Sequence, residues 1–156
     1  MSKVYFASDH AGFGLKSALV PFVKDLGYET EDLGAFTLDA SDDYPDFIIP
    51  CAKKVSEDMG SFGVILGGSG QGEAMVANRT RGVRAAVFYG EPTYPQTDIE
   101  GNRLGVIQSE RLHNDANILS IGARFVGVEA AKEAVQLFLT TKFGKDERHV
   151  RRLAKF

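Results

Sequence analysis

Short apolar runs alternate with segments of helical periodicity along most of the chain, and this alternation restricts the fold more than any other feature. Residues 4–7 (Val-Tyr-Phe-Ala) form a run too short for a helix and apolar on both faces, as a buried strand requires. Leu15, Leu19, Phe22, Val23 and Leu26 then recur at three- and four-residue spacing, predicting a helix that stops at Gly27. Residues 28–33 alternate like a strand near a sheet edge. Pro45 opens a second predicted helix, with Phe47, Ile48, Cys51, Ala52, Val55 and Met59 facing inward and a stop at Gly60. Strands are predicted again at 62–66, 83–89 and 117–121, with a short helix at 73–79 and an amphipathic one at 128–139. Strand and helix alternating at this spacing give βαβ units and a parallel sheet. The expectation is one α/β domain over residues 1–156 with five parallel strands.

Residues 89–102 break the rhythm. Gly90, Pro92, Pro95 and Gly101 make them a loop, longer than compact domains usually carry, which is either a surface insertion or a functional lid.

Charge is unevenly spread. The net charge is −3, but residues 142–156 hold six bases and two acids, while residues 25–46 hold eight acids and no base. An acidic body with a basic tail does not suit nucleic acid, whose partners usually carry a basic excess. A single cysteine excludes an intrachain disulfide and any paired-cysteine metal motif. Cys51 falls on the apolar face of its helix and reads as an inert buried thiol. No apolar run approaches the roughly 20 residues that span a bilayer. The Met1-Ser2-Lys3 start lacks a leader pattern, so a cytoplasmic location is expected, with no membrane partner.

The strongest local signal is Gly67-Gly68-Ser69-Gly70-Gln71-Gly72-Glu73, placed between a buried strand and a helix. In an open α/β sheet, ligands sit at the carboxyl ends of strands, so a site belongs here. Backbone N–H groups among glycines approach an anion closely, and the helix N-terminus favours it. Spacing excludes two common occupants. Glu73 stands where a dinucleotide fingerprint needs its third glycine, and no Lys-Ser or Lys-Thr follows Gly72 as in a P-loop. The Gly-x-Ser-x-Gly spacing of a hydrolase elbow is also absent. A carboxylate in an anion-binding turn makes sense if the anion is transient. Ser69 and the turn amides would stabilise an enediolate while Glu73 removes a proton from carbon. The competing reading is an acidic residue of a first helical turn. The helix dipole would lower the Glu73 pKa and burial would raise it.

Other polar candidates each have an ordinary structural reading beside the functional one, and Asp9-His10 and Arg124 fall at the same sheet edge. Asp9-His10 follows the first strand and Arg124 follows the fifth. Tyr44 precedes Pro45, and His113-Asn114 lies just before the fifth strand. Arg148 and Arg152 are four apart and share a helical face, which suits either a phosphate or the helix dipole. No His, Cys, Asp and Glu grouping has metal-ligand spacing, so no metal is expected.

Taken in order, Asp9-His10-Ala11-Gly12, Asp43-Tyr44-Pro45, 67–73, Asn78, 82–85, 113–117, 122–124 and 148–152 resemble the type B ribose-5-phosphate isomerases and the related galactose-6-phosphate isomerase subunits. The resemblance covers nearly the whole chain. It implies a Rossmann-like three-layer α/β/α sandwich, a homodimer or tetramer with sites between subunits, and aldose–ketose isomerisation of sugar phosphates without a cofactor. One branch of the family uses a cysteine at the position matching Gly67 as base; this chain resembles the other branch, whose base matches Glu73. Carried over, Glu73 shuttles the proton between C1 and C2, while Ser69 and the turn at Gly68, Gly70 and Gly72 hold the enediolate. His113, with Asp9 across the subunit boundary, opens the sugar ring, and Asn114 binds a sugar oxygen. Arg148 and Arg152, helped by Arg124 and His10, hold the phosphate, and Tyr44 lines the pocket. The 89–102 segment is longer than the family usually shows. It leaves a six-carbon substrate, allose or galactose 6-phosphate, beside the expected ribose 5-phosphate. A non-catalytic sugar-phosphate-binding subunit is the alternative from another class.

Overall fold

The computed structural model describes residues 2–94 and 96–156; Met1 and Pro95, which entered the leader and loop expectations, lie outside them. Strands β1 (Lys3–Ser8), β2 (Glu29–Asp32), β3 (Phe62–Gly67), β4 (Ala85–Phe88) and β7 (Ile118–Gly122) form one five-stranded sheet. Its order is β2-β1-β3-β7-β4 and every pairing is parallel. Helices α1 (Phe13–Asp25), α4 (Val106–Asn114) and α5 (Val128–Thr140) share one core with the sheet. Helices α2 (Pro45–Glu57) and α3 (Gln71–Ala77) share the other. Alternation within a strand feeds both: Val4 and Phe6 enter the first core, Tyr5 and Ala7 the second. The result is the expected three-layer sandwich.

The chain leaves β1 toward one sheet edge and β3 toward the other, so a crevice opens between their carboxyl ends. Close approach of α1 to β3 depends on Gly12, where a Cβ would stand 2.6 Å from the Leu66 Cβ. Lys16, fully buried in α1, is held by Asp32 at 2.5 Å and the Ala35 carbonyl at 2.8 Å. That ion pair ties the β2 end to α1 and sets the start of the 33–44 loop.

Four expectations need correction. Helix α2 ends at Glu57, and Met59 is 96% exposed rather than inward-facing. The strand expected at 83–89 is trimmed to β4, because Val83 and Arg84 belong to the turn after α3, where the Asn117 side chain accepts from the Arg84 N–H. Residues 89–102 are not a plain loop. They lead into a hairpin of β5 (Gln96–Thr97) and β6 (Arg103–Leu104), whose turn is tied by Asp98 accepting from the Glu100 and Asn102 amides and from Asn102 Nδ2. The Glu91 carboxylate then accepts from the Val106 N–H and closes the start of α4. The basic tail is helical only over α6 (Glu147–Leu153), which packs on α4, and Asp146 caps it through the Arg148 N–H.

Candidate active site

The glycine turn is fixed from β7. The Ala123 and Arg124 amides donate to the Gly67 and Gly68 carbonyls, and buried Ser120 Oγ donates to the Gly70 carbonyl at 2.6 Å. Gly70 takes φ 75°, a conformation that disfavours a side chain, and a Cβ there would also press on the Gly122 amide. This bend starts α3 with Glu73 in its first turn and 4% exposed.

The Glu73 carboxylate folds back over Gly67. A Cβ at position 67 would overlap its Cδ and Oε1 and stand 2.8 Å from Oε2. The carboxylate thus occupies the space that any side chain at 67 would need. Burial, reinforced by the Asp9 charge, raises the Glu73 pKa above its ordinary value, against the opposing hydrogen bonds of its own and the Gly70 amide. Of the two effects left open by the sequence, desolvation wins. A carboxylate with a raised pKa is a better base than a free one.

Asp9, His10, Tyr44, Gly68, Ser69, Gly72, Glu73 and Arg124 line one cavity of about 440 Å³ with Ala11 and Phe125. These residues come from the ends of β1, β3 and β7 and the start of α2 and α3, as a topological switch point predicts. Asp9 is buried, and its Oδ1 accepts from the Ala11 and Gly12 amides at 2.9 and 3.3 Å. The Arg124 guanidinium lies over Gly68, whose missing side chain leaves it room. The Gly70 amide faces Glu73 and the Gln71 amide faces Ser69 Oγ at 3.3 Å. Gly72, in the first turn of α3, has an amide without an intrahelical acceptor, and a Cβ there would stand 2.7 Å from the Tyr44 hydroxyl.

The remaining expected residues are elsewhere in the chain. His113, at the end of α4, stacks on His149 with centroids 4.4 Å apart, and its Nδ1 faces Ser109 Oγ at 3.4 Å. Arg148 lies beside His149 and reaches Glu100 of the hairpin at 3.7 Å, while Arg152 is exposed on the same helix. Asn114 lines a different hollow of about 680 Å³, with Leu153 and Phe156 among its walls. His113, Asn114, Arg148 and Arg152 thus form a second polar group outside the Glu73 cavity. His149 is buried, and burial together with His113 and Arg148 lowers its pKa.

Two features escaped the sequence. His10 Nδ1 meets Asp42 Oδ1 at 2.6 Å, across 32 residues, so no local spacing announces the pair. Asp9, His10 and Asp42 are also, among the described residues, a group whose ligand atoms lie within 4.8 Å of one another, which sequence spacing does not show. Their atoms are turned to hydrogen bonds: Nδ1 to Asp42, and Asp9 Oδ1 to two amides. Cys51 is fully buried as expected, and burial pushes its thiol up to about 12.

Residues 4–156 match the family described as Ribose/Galactose Isomerase. Ribose-5-phosphate isomerase B of Mycolicibacterium paratuberculosis is 39% identical over 151 residues, covering 97% of this chain and 87% of the relative. The same enzyme of Mycobacterium tuberculosis is 38% identical, covering 97% and 85%. Among solved structures, ribose-5-phosphate isomerase B of Mycoplasma genitalium with bound ribulose 5-phosphate superposes with a TM-score of 0.85 at 34% identity, covering 98% of this chain and 92% of that one. The Clostridium thermocellum enzyme gives 0.82 at 35% identity, covering 98% and 93%.

Proposed function

The chain belongs to the ribose/galactose isomerase family, and from that premise we propose that it interconverts ribose 5-phosphate and ribulose 5-phosphate through a cis-enediolate. The observation that carries this is the Glu73 carboxylate, buried, raised in pKa and set in one cavity with Ser69, His10 and Arg124.

In this reading Glu73 takes the proton from C2 of the open-chain aldose and returns it to C1. The developing oxyanion faces Ser69 and the Gly72 amide, so the charge forms where donors already stand. His10 and Arg124 face the phosphate. Two polar groups, each lacking what the other holds, support a site shared by two copies of the chain. One copy supplies Glu73, Ser69, Asp9, Tyr44, His10 and Arg124; the other supplies His113 and Asn114 for ring opening and Arg148 and Arg152 for the phosphate. His113 is set for this task at the end of α4, stacked on His149 with Nδ1 toward Ser109 Oγ. A cofactor has no step to perform in this sequence, and a cytoplasmic place fits such a metabolic reaction.

Mixing inactive Glu73→Gln and His113→Ala chains tests the shared site. A mixed dimer has one intact site and one doubly altered site, so remixing restores activity. Failure of remixed, co-assembled chains to recover any turnover rejects the sharing. A panel of ribose, allose and galactose phosphates tests the substrate; turnover of none by the pure protein favours the non-catalytic subunit.

A further inference from the structure

We propose that Asp42 is a positioning residue for this reaction, clamping His10 so that its imidazole stands as a fixed donor to the anionic end of the substrate. The inference rests on the reading of His10 as a phosphate-binding group.

The clamp has two arms. Asp42 Oδ1 accepts from the His10 backbone N–H at 3.1 Å and meets Nδ1 at 2.6 Å, so a single oxygen fixes both the main chain and the ring. With Nδ1 engaged, Nε2 is the ring nitrogen left for the cavity that His10 lines. Asp42 is brought there by the 33–44 loop, whose start is tied to β1 by paired bonds between Ser8 and the Gly34 and Ala35 backbone. The Asp42 side chain is 9% exposed, and its Oδ2 is buried with no hydrogen-bond partner among the described residues. A carboxylate retained under those conditions is costly unless its charge has a use. The use is the imidazolium beside it. A short charge-assisted bond of this kind holds the proton and the ring orientation together.

The other charges facing His10 point the same way, with one exception. Asp9 from the end of β1 favours the cation, and Asp39 of the same loop lies close enough to respond to it. Arg124 from the end of β7 opposes it. The hydrogen bond to Asp42 is the largest influence and raises the His10 pKa above 6.5. Without Asp42, desolvation and Arg124, which both disfavour the cation, are opposed by Asp9, and the ring loses the contact that orients it.

Asp42→Asn tests this, because the amide oxygen keeps both acceptor contacts while the charge is gone. NMR titration of the His10 ring, assigned by its loss in His10→Gln, gives the midpoint directly. The expected result is a lowered midpoint and with it a smaller cationic fraction at pH 7.5. The KM for ribose 5-phosphate then rises by about fivefold at pH 7.5, the difference between a charge-assisted and a neutral hydrogen bond. The gap to the parent closes as pH falls toward 6, and kcat at saturation stays within about twofold. An unchanged His10 midpoint overturns the proposal, as does a KM ratio independent of pH. The phosphate role of His10 is separated by His10→Gln alone. If that variant keeps its KM, the underlying reading fails, while the titration still reports whether Asp42 holds the ring.

Discussion

Replacing Gly67 by alanine is a one-carbon change that the backbone tolerates, since Gly67 ends β3 and needs no left-handed conformation. What it does not tolerate is the Glu73 carboxylate. The new Cβ would overlap the Glu73 Cδ and Oε1 and stand 2.8 Å from Oε2, against an ordinary contact of 3.4–4 Å. The backbone cannot retreat, because the Gly67 carbonyl accepts from the Ala123 N–H at 2.8 Å. The carboxylate therefore moves by more than about an ångström, and a displacement of that size costs about 100-fold in rate. Overpacking adds about 1–3 kcal/mol of destabilisation. The assay is kcat and KM for ribose 5-phosphate, with thermal unfolding beside it. We expect kcat to fall about 100-fold with KM within a fewfold, since the residues proposed to hold the phosphate are untouched. In a Glu73→Gln background the same alanine should cost nothing further in rate, the coupling expected of two groups that act through one position. Gly14→Ala, at an exposed helical site with nothing within 4 Å, serves as control and should stabilise by about 0.5–1 kcal/mol. Near-parent kcat in Gly67→Ala would refute the placement of Glu73 as the base.

Three further outcomes follow from the charges. Because the Glu73 pKa is raised and the base must be ionised, the acid limb of kcat/KM should lie above 4.5 and vanish with the residual activity of Glu73→Gln. Glu110 is buried, with Oε2 unpartnered among the described residues, and burial and Glu91 push its carboxyl up to about 8. The folded state holds that proton more tightly, so stability is full below 4.5 and declines as pH rises through about 8; Glu110→Gln should flatten that decline in urea unfolding. Glu100, exposed on the hairpin, partly neutralises Arg148 at 3.7 Å, so Glu100→Gln should lower the KM for phosphorylated substrate by up to about fivefold, an effect that salt suppresses.

Strands and helices with apolar faces were legible because their periodicity is written in side chains that the core needs. Helix α4 was not. Its buried face is Ile107, Glu110 and Arg111, and the two charges hide the period. Arg111 is tolerated there because it caps the Asp115, Ala116 and Thr141 oxygens and lies over Phe62 and Phe138. The hairpin was masked by Gly and Pro, which mark turns without saying what they connect. At the site, Glu73, Ser69 and His10 could be named because strand ends fix where they fall. The Asp42 contact to His10 and the Lys16 contact to Asp32 could not, since both join segments that meet only through the sheet. The second polar group was placed by resemblance, and the fold of one chain explains why spacing alone could not join it to the first: α4 and α6 hold it away from the Glu73 cavity.

Removal of the carbon-bound proton by Glu73 is open to measurement in solution. Ribose 5-phosphate incubated in deuterium oxide with the parent protein and with Glu73→Gln, followed by NMR, measures it at the reacting carbons. We expect deuterium at C1 of ribulose 5-phosphate and at C2 of returning ribose 5-phosphate for the parent, and none for Glu73→Gln while calorimetry still detects substrate binding. Deuterium incorporation by Glu73→Gln at the parent rate would contradict it.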